Sequence, residues 1–239
     1  MTTLVRFNIS LISIILLVMG SFTAMADEAP GDCFGIEFNL THPIGVAKLL
    51  TTQPQVHFLK NASDNANCPA NNAACTQTAY LVPGNLVLVG KTDGAFTCVA
   101  YQSITNPKPN WHNGWLPSAS ITPVLPDSAP FSADWIGSWI HGGGNIMIKP
   151  SKNGAVSVSG EAFYDAAQNV HTGVIEAKAK PAYNLLQFAD DGTSPFNKSS
   201  DDQGLCLVRM QRVENLLVVE DNNACGGAMV TFTGIYWKK

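Results

Sequence analysis

Lys152-Asn153-Gly154-Ala155-Val156-Ser157-Val158-Ser159-Gly160 is the stretch on which the fold turns. Asn-Gly is a turn dipeptide, and Val156 and Val158 then alternate with serines, so one face of an extended chain is apolar and the other polar. Outward from it, the second half divides into eight such segments: 135–141, 144–149, 154–163, 170–178, 184–190, 203–211, 215–220 and 228–237. Asp190-Asp191-Gly192 and Asp201-Asp202-Gln203-Gly204 separate two pairs of them, and Leu216 and Val218 keep the same period of two. Eight short strands in so little chain predict a small antiparallel barrel, because closure removes exposed sheet edges. A β-sandwich is the runner-up.

The first half also reads as strands. Val46–Leu50, Val56–Leu59, Tyr80–Val82, Leu86–Val89 and Phe96–Tyr101 are short aliphatic, β-branched or aromatic runs bounded by Gly, Pro, Asn or Asp. Residues 61–75 are small and polar, the composition of a loop that a disulfide would hold. Between the halves, Thr122–Ala133 carries Pro123, Pro126 and Pro130. Proline removes backbone donors and stiffens the chain, so 123–133 is the expected linker. The predicted class is all-β, with a first domain over 27–122 and a barrel over 134–239.

Residues 1–26 have the anatomy of a secretory signal: Arg6 is their only charge, Leu11–Met19 is an apolar run, and Ala24-Met25-Ala26 offers small residues for cleavage. Pro30-Gly31-Asp32 before Cys33 lacks the pattern of a lipid-anchor site. A protein exported to the periplasm or beyond is therefore expected, without membrane insertion. Without residues 1–26, 13 basic residues (14 − 1) stand against 18 acidic ones, a net charge of −5. No Lys/Arg cluster is left to attract nucleic acid or anionic lipid.

Cys33, Cys68, Cys75, Cys98, Cys206 and Cys225 all lie beyond the leader, and an even number in an oxidising compartment reads as disulfides. The long gap after Cys98 divides them four and two, which pairs Cys206 with Cys225. A hairpin turning near Val213-Glu214 would set Cys206 opposite Asp221, with Cys225 returning after Asn222-Asn223. Among the first four, Cys68–Cys75 with Cys33–Cys98 is preferred; the other pairings stay open. The histidines at 42, 57, 112, 141 and 171 are scattered, with no Cys-x2-Cys or His-x3-His pair, so no metal and no cofactor are expected.

Nor does a catalytic constellation stand out. No Gly-x-Ser-x-Gly elbow occurs, and Gly142-Gly143-Gly144 lacks the Lys-Ser/Thr of a phosphate loop. Glu161 and Asp165 on one strand would stand about 13 Å apart, against the roughly 5 to 9.5 Å of paired glycosidase carboxylates. No catalytic residue is assigned. Trp115, Trp139 and Trp237 are expected as barrel packing, and Trp135 at a barrel mouth or between domains.

Two segments resemble known families. Residues 79–124 are similar to a bacterial SH3 (SH3b) domain. Tyr80-Leu81-Val82-Pro83-Gly84-Asn85-Leu86 resembles its diverging turn, Asp93-Gly94-Ala95-Phe96 its Gly-Asp-Trp-Trp stretch, and Gly114-Trp115-Leu116-Pro117-Ser118-Ala119-Ser120-Ile121 its closing motif. The resemblance implies an SH3-like barrel that binds cell-wall peptide or a protein segment, with Phe96, Tyr101 and Trp111 as the aromatic contacts. Gly137-Ser138-Trp139 resembles the opening signature of lipocalin and avidin-type barrels, which implies His141 and Asn145 as ligand-facing residues and a small-molecule carrier as one alternative. Val218–Asn222, Cys225-Gly226-Gly227 and Phe232–Tyr236 resemble a domain of exported bacterial proteins, some grouped with lysozyme inhibitors; inhibition of a secreted hydrolase is the other alternative. The expectation is a non-catalytic binding protein of the bacterial envelope. Its oligomeric state is not readable from the sequence.

Overall fold

The computed structural model describes residues 31–50, 54–103, 110–125, 132–166, 169–192, 194–196 and 204–239; the expected leader and most of the proline-rich stretch (126–131) lie outside them. The chain is all-β, built of two antiparallel sheets, the second nearly closed into a barrel.

The first sheet holds β1 (Gly45–Leu49), β2 (Val56–Leu59), β3 (Thr76–Leu81), β4 (Leu86–Asp93), β5 (Phe96–Ser103), β6 (Asn110–Pro117) and β7 (Ile121–Pro123), in the order β3-β2-β6-β5-β4-β1-β7. Pro123 thus belongs to a strand, paired with Ala47. As an edge strand, β7 tolerates the missing N–H. Alternation sends Ala47, Leu49, Val87, Val99 and Leu116 to one face, where they form a core with Phe58 and Leu81.

The other face is covered twice. At one end, Trp115 and Leu59 pack with the Cys33–Cys98 bridge, and the Trp115 indole donates to the Gly31 carbonyl (3.0 Å). Trp115 is therefore not the plug of the first core. Its neighbour Leu116 holds that place, and a period of two puts the indole on the opposite face, under the chain that the disulfide ties down.

A helical turn, α1 (Ser132–Trp135), leads into β8 (Gly137–His141), β9 (Gly144–Pro150), β10 (Val156–Ala166), β11 (Asn169–Ala179), β12 (Leu185–Ala189), β13 (Leu207–Val213), β14 (Leu216–Asp221) and β15 (Gly234–Lys238). The order β11-β10-β9-β8-β15-β14-β13-β12 brings the edges β11 and β12 toward each other. The expected segments 203–211 and 228–237 are strands only from 207 and 234. What precedes β15 is instead a strap across the barrel's seam. Gly227 N–H donates to the Thr172 carbonyl (3.1 Å) and His171 Nδ1 to Ala228 O (2.6 Å), while Val230 and Cys225 enter the core.

All six cysteines are paired, as Cys33–Cys98, Cys68–Cys75 and Cys206–Cys225. The last bridge ties the strap to the start of β13. The β13–β14 turn lies one residue later than expected, so Val208, not Cys206, faces Asp221.

The barrel interior is filled. Trp135, Trp139, Phe188, Phe232 and Tyr236 pack there with aliphatic side chains from the inner faces of β9 to β14, and the Trp139 indole donates to Trp135 O (3.0 Å).

The barrel's outer face supplies the second cover of the first sheet. Val213, Leu216, Val218 and Ile235 pack against Ile44, Val46, Leu88 and Ala100, with Trp111, Phe38 and Trp237 at the margin. Trp237 is thus part of a seam between the two sheets rather than barrel packing. One buried amide crosses that seam: Gln102 accepts from Ile235 N–H (2.9 Å) and reaches His141 (2.8 Å).

Candidate functional site

The five aromatic and polar residues that the sequence proposes as ligand contacts do not converge. Phe96 and Tyr101 lie five residues apart on one strand whose register against β6 is unbroken, so they face opposite sides of the sheet. Phe96 packs half-buried beside Trp115 and the Cys33–Cys98 bridge. Trp111 is half-buried at the seam, edge-on to Phe38 with ring centroids 6.1 Å apart. In the barrel, His141 pairs across the β8–β9 turn with Gly144, while Asn145 pairs with Ile140 and Glu161 on the exposed outer face. The filled interior leaves a carried ligand no room between them.

Tyr101 lines an open cleft. It pairs directly with His112 on β6, and together with Phe58, Tyr80 and Ser103 they border a space of about 290 Å³ at one end of the first core. The Phe58 and His112 rings meet edge to face at 4.5 Å.

Hydrogen bonds set the tautomer of His112. The Gln77 amide donates to the Leu59 carbonyl (2.9 Å), which turns its oxygen to His112 Nε2 (3.0 Å). Nε2 therefore carries the proton, and Nδ1 is left as an acceptor. Burial holds the imidazole below its ordinary pKa and the Tyr101 phenol above its own, so both groups are neutral at physiological pH.

A second cleft, of about 510 Å³, lies on the other side of the β2–β3 hairpin. His57 and Leu59 line it from β2, and Pro117 and Ser120 from the motif that resembles the SH3 closing turn. Alternation along β2 sends Phe58 to the first cleft and its neighbours to the second. His57 Nδ1 donates to the Gln77 carbonyl (2.8 Å), Nε2 accepts from the Gln55 amide (3.0 Å), and the ring lies 5.6 Å from that of Tyr80.

Among the described residues, no Asp, Glu, Lys or Arg lines either cleft. Between them runs β3, an outer edge of the sheet, with Tyr80 51% exposed. β2 joins the rest of the sheet through the single pair Leu59↔Trp115, so the hairpin stands off from β6 and leaves both clefts open.

Chemically, the arrangement offers aromatic faces, neutral donors and acceptors, and the unpaired backbone of an edge strand. An imidazole oriented by an amide lacks the carboxylate that stabilises an imidazolium in acid–base catalysis. Among the described residues, no group of three or more His, Cys, Asp or Glu is placed to hold a metal ion.

Sequence reasoning reached Tyr101 but missed Phe58, Tyr80, His57 and His112. The signal for His112 was present: a β-hairpin centred between residues 106 and 107 pairs position 101 with 112.

Comparison with known proteins finds no matching family model, no matching curated protein and no matching solved structure.

Proposed function

We propose that this chain is an exported, non-catalytic binding protein of the bacterial envelope, whose first half takes up an extended, uncharged segment of cell-wall peptide or of a protein along the β2–β3 hairpin. The observation that carries the reading is an edge strand flanked by two clefts without charged walls. An extended segment laid on β3 would gain main-chain hydrogen bonds, and its alternate side chains would enter the aromatic cleft. Three formed disulfides suit an oxidising compartment, which agrees with periplasmic or secreted placement.

Retention of the oxidised protein on purified peptidoglycan tests the reading. Tyr80→Ser and Tyr101→Ala should each weaken retention by about tenfold, the loss of one aromatic contact of about 1.4 kcal/mol. Tyr80 is exposed, so its substitution leaves the fold intact. An intact protein that is not retained, or a Tyr80→Ser variant that binds like the wild type, refutes the proposal.

A further inference from the structure

His141, at the end of β8, stacks on the barrel's Tyr236 and meets the first sheet through Gln102. Gln102, 3% exposed, has its amide orientation fixed by a backbone donor: Ile235 N–H must meet the oxygen, so the NH2 group points at His141 Nε2. The other ring nitrogen, Nδ1, faces Gly143 N–H at 3.3 Å. Tyr236 stacks on the ring, with centroids 4.9 Å apart and planes 30° apart. Gly234 backs it so closely that a Cβ there would stand 2.6 Å from Nε2.

Both ring nitrogens thus face donors, and the neutral imidazole, with a single bare nitrogen, accepts from one of them; protonation removes even that acceptor. A protonated ring would set an N–H against each donor. Rotating the Gln102 amide to receive it would abandon Ile235. Around the ring, β5 contributes uncharged Gln102, the β8–β9 turn contributes Gly143, and β15 contributes Gly234 and Tyr236, the one titratable neighbour among these. No charged group among the described residues offsets the burial.

We propose that His141 is an acid-sensitive latch between the two halves: its protonation loosens the seam formed by Val46, Leu88 and Ala100 with Leu216, Val218 and Ile235, while each sheet keeps its own fold.

The direction follows from proton uptake. Burial lowers the closed-state pKa from 6.5 to about 4, so between those values an opened form binds a proton that the closed form does not. Falling pH therefore favours opening. A drop from 6.5 to about 4 changes the closed-to-open ratio by at most about 300-fold. Below about pH 4 the closed form is protonated too, and the effect saturates.

Hydrogen exchange between pH 7 and 4, corrected for the intrinsic rate, reads this directly. The amide of Ile235, which donates to Gln102, should lose protection by up to about 300-fold. Val158, in β10 away from the seam, should lose far less. His141→Phe keeps the stack on Tyr236 and removes the proton site, so its Ile235 protection should not depend on pH in this range. Gln102→Glu places a carboxylate beside the protonated ring and should hold the seam closed in acid. If His141→Phe does not fold, Gln102→Glu decides alone. Protection at Ile235 that is unchanged in acid overturns the proposal, as does an equal loss at Val158. So does an acid response in either variant that matches the wild type.

Discussion

Gly173→Ala tests whether the strap before β15 closes the barrel. Gly173 lies in β11, and its φ lies outside the left-handed region, so the backbone itself would accept alanine. In an open strand that change stabilises by roughly 0.5–1 kcal/mol, because glycine loses more chain entropy on folding. Here an added Cβ would collide with the carbonyl oxygen of Cys225 and would stand 2.9 Å from Val230 Cγ1 and 3.0 Å from Gly226 Cα. Two of these are backbone atoms, and the Cys206–Cys225 bridge limits how far the strap can retreat. If the strap lifts, Val230, 3% exposed, loses about 1.5–3 kcal/mol of burial. The Gly227–Thr172 hydrogen bond is worth about 1 kcal/mol more. After the entropy gain, a net loss of about 2.5 kcal/mol remains, which lowers Tm by about 5–10 °C for a chain of this size. Gly45→Ala is the matched control: it too is a strand glycine, and its nearest neighbour would be Val89 Cβ at an ordinary 3.4 Å. Thermal melts followed by circular dichroism compare the two. A Gly173→Ala protein that melts with the wild type or above it would refute the closure by the strap.

Two further outcomes concern stability. Loop-closure entropy ranks the bridges by the chain they enclose: separations of 65, 19 and 7 residues correspond to about 4, 3 and 2 kcal/mol. Paired Cys→Ala replacement should therefore cost most for Cys33–Cys98 and least for Cys68–Cys75 in urea midpoints; the reverse order would contradict the ranking. Arg209 and Glu220 form a buried pair at 3.5 Å, each side chain 2% exposed, and Arg209 Nε and Nη2 have no hydrogen-bond partner. Arg209→Met alone strands a buried carboxylate and should cost about 3–5 kcal/mol. Adding Glu220→Met should recover most of that loss, and a double variant no more stable than the single one would show that the pair itself holds the strands.

The contrast between what was readable and what was not lies in which periodicity each residue obeys. Val156, Val158, Ile146 and Ile148 alternate cleanly and their strands have one buried face, which together with the turn signals between segments makes the division of the second half into eight strands legible. Leu216-Leu217-Val218-Val219 departs from it: apolar at all four positions, the run needs cover on both faces. Leu217 and Val219 enter the barrel, and Leu216 and Val218 enter the seam. Read as a single alternating pair, Leu216 and Val218 said nothing of a second sheet; read as an unbroken run, they announce one.

The candidate site failed in the sequence for a related reason. Phe96, Tyr101 and Trp111 were grouped by chemistry, yet an odd spacing along β5 already forbids Phe96 and Tyr101 a common face. Tyr101 and His112 meet because a hairpin register couples them across the intervening chain, and Tyr80 joins them only because the β2–β3 hairpin stands off from β6. Trp111 carries the right chemistry on the face that the barrel covers. Nothing local to residue 111 distinguishes a face open to a ligand from one filled by the chain's own second sheet. That choice is made some hundred residues later, by the apolar outer faces of β13, β14 and β15. The barrel is thus the permanent occupant of the surface around Trp111, while Phe96 lies under the chain tied by Cys33–Cys98 and Tyr101 lines the open cleft beside β3.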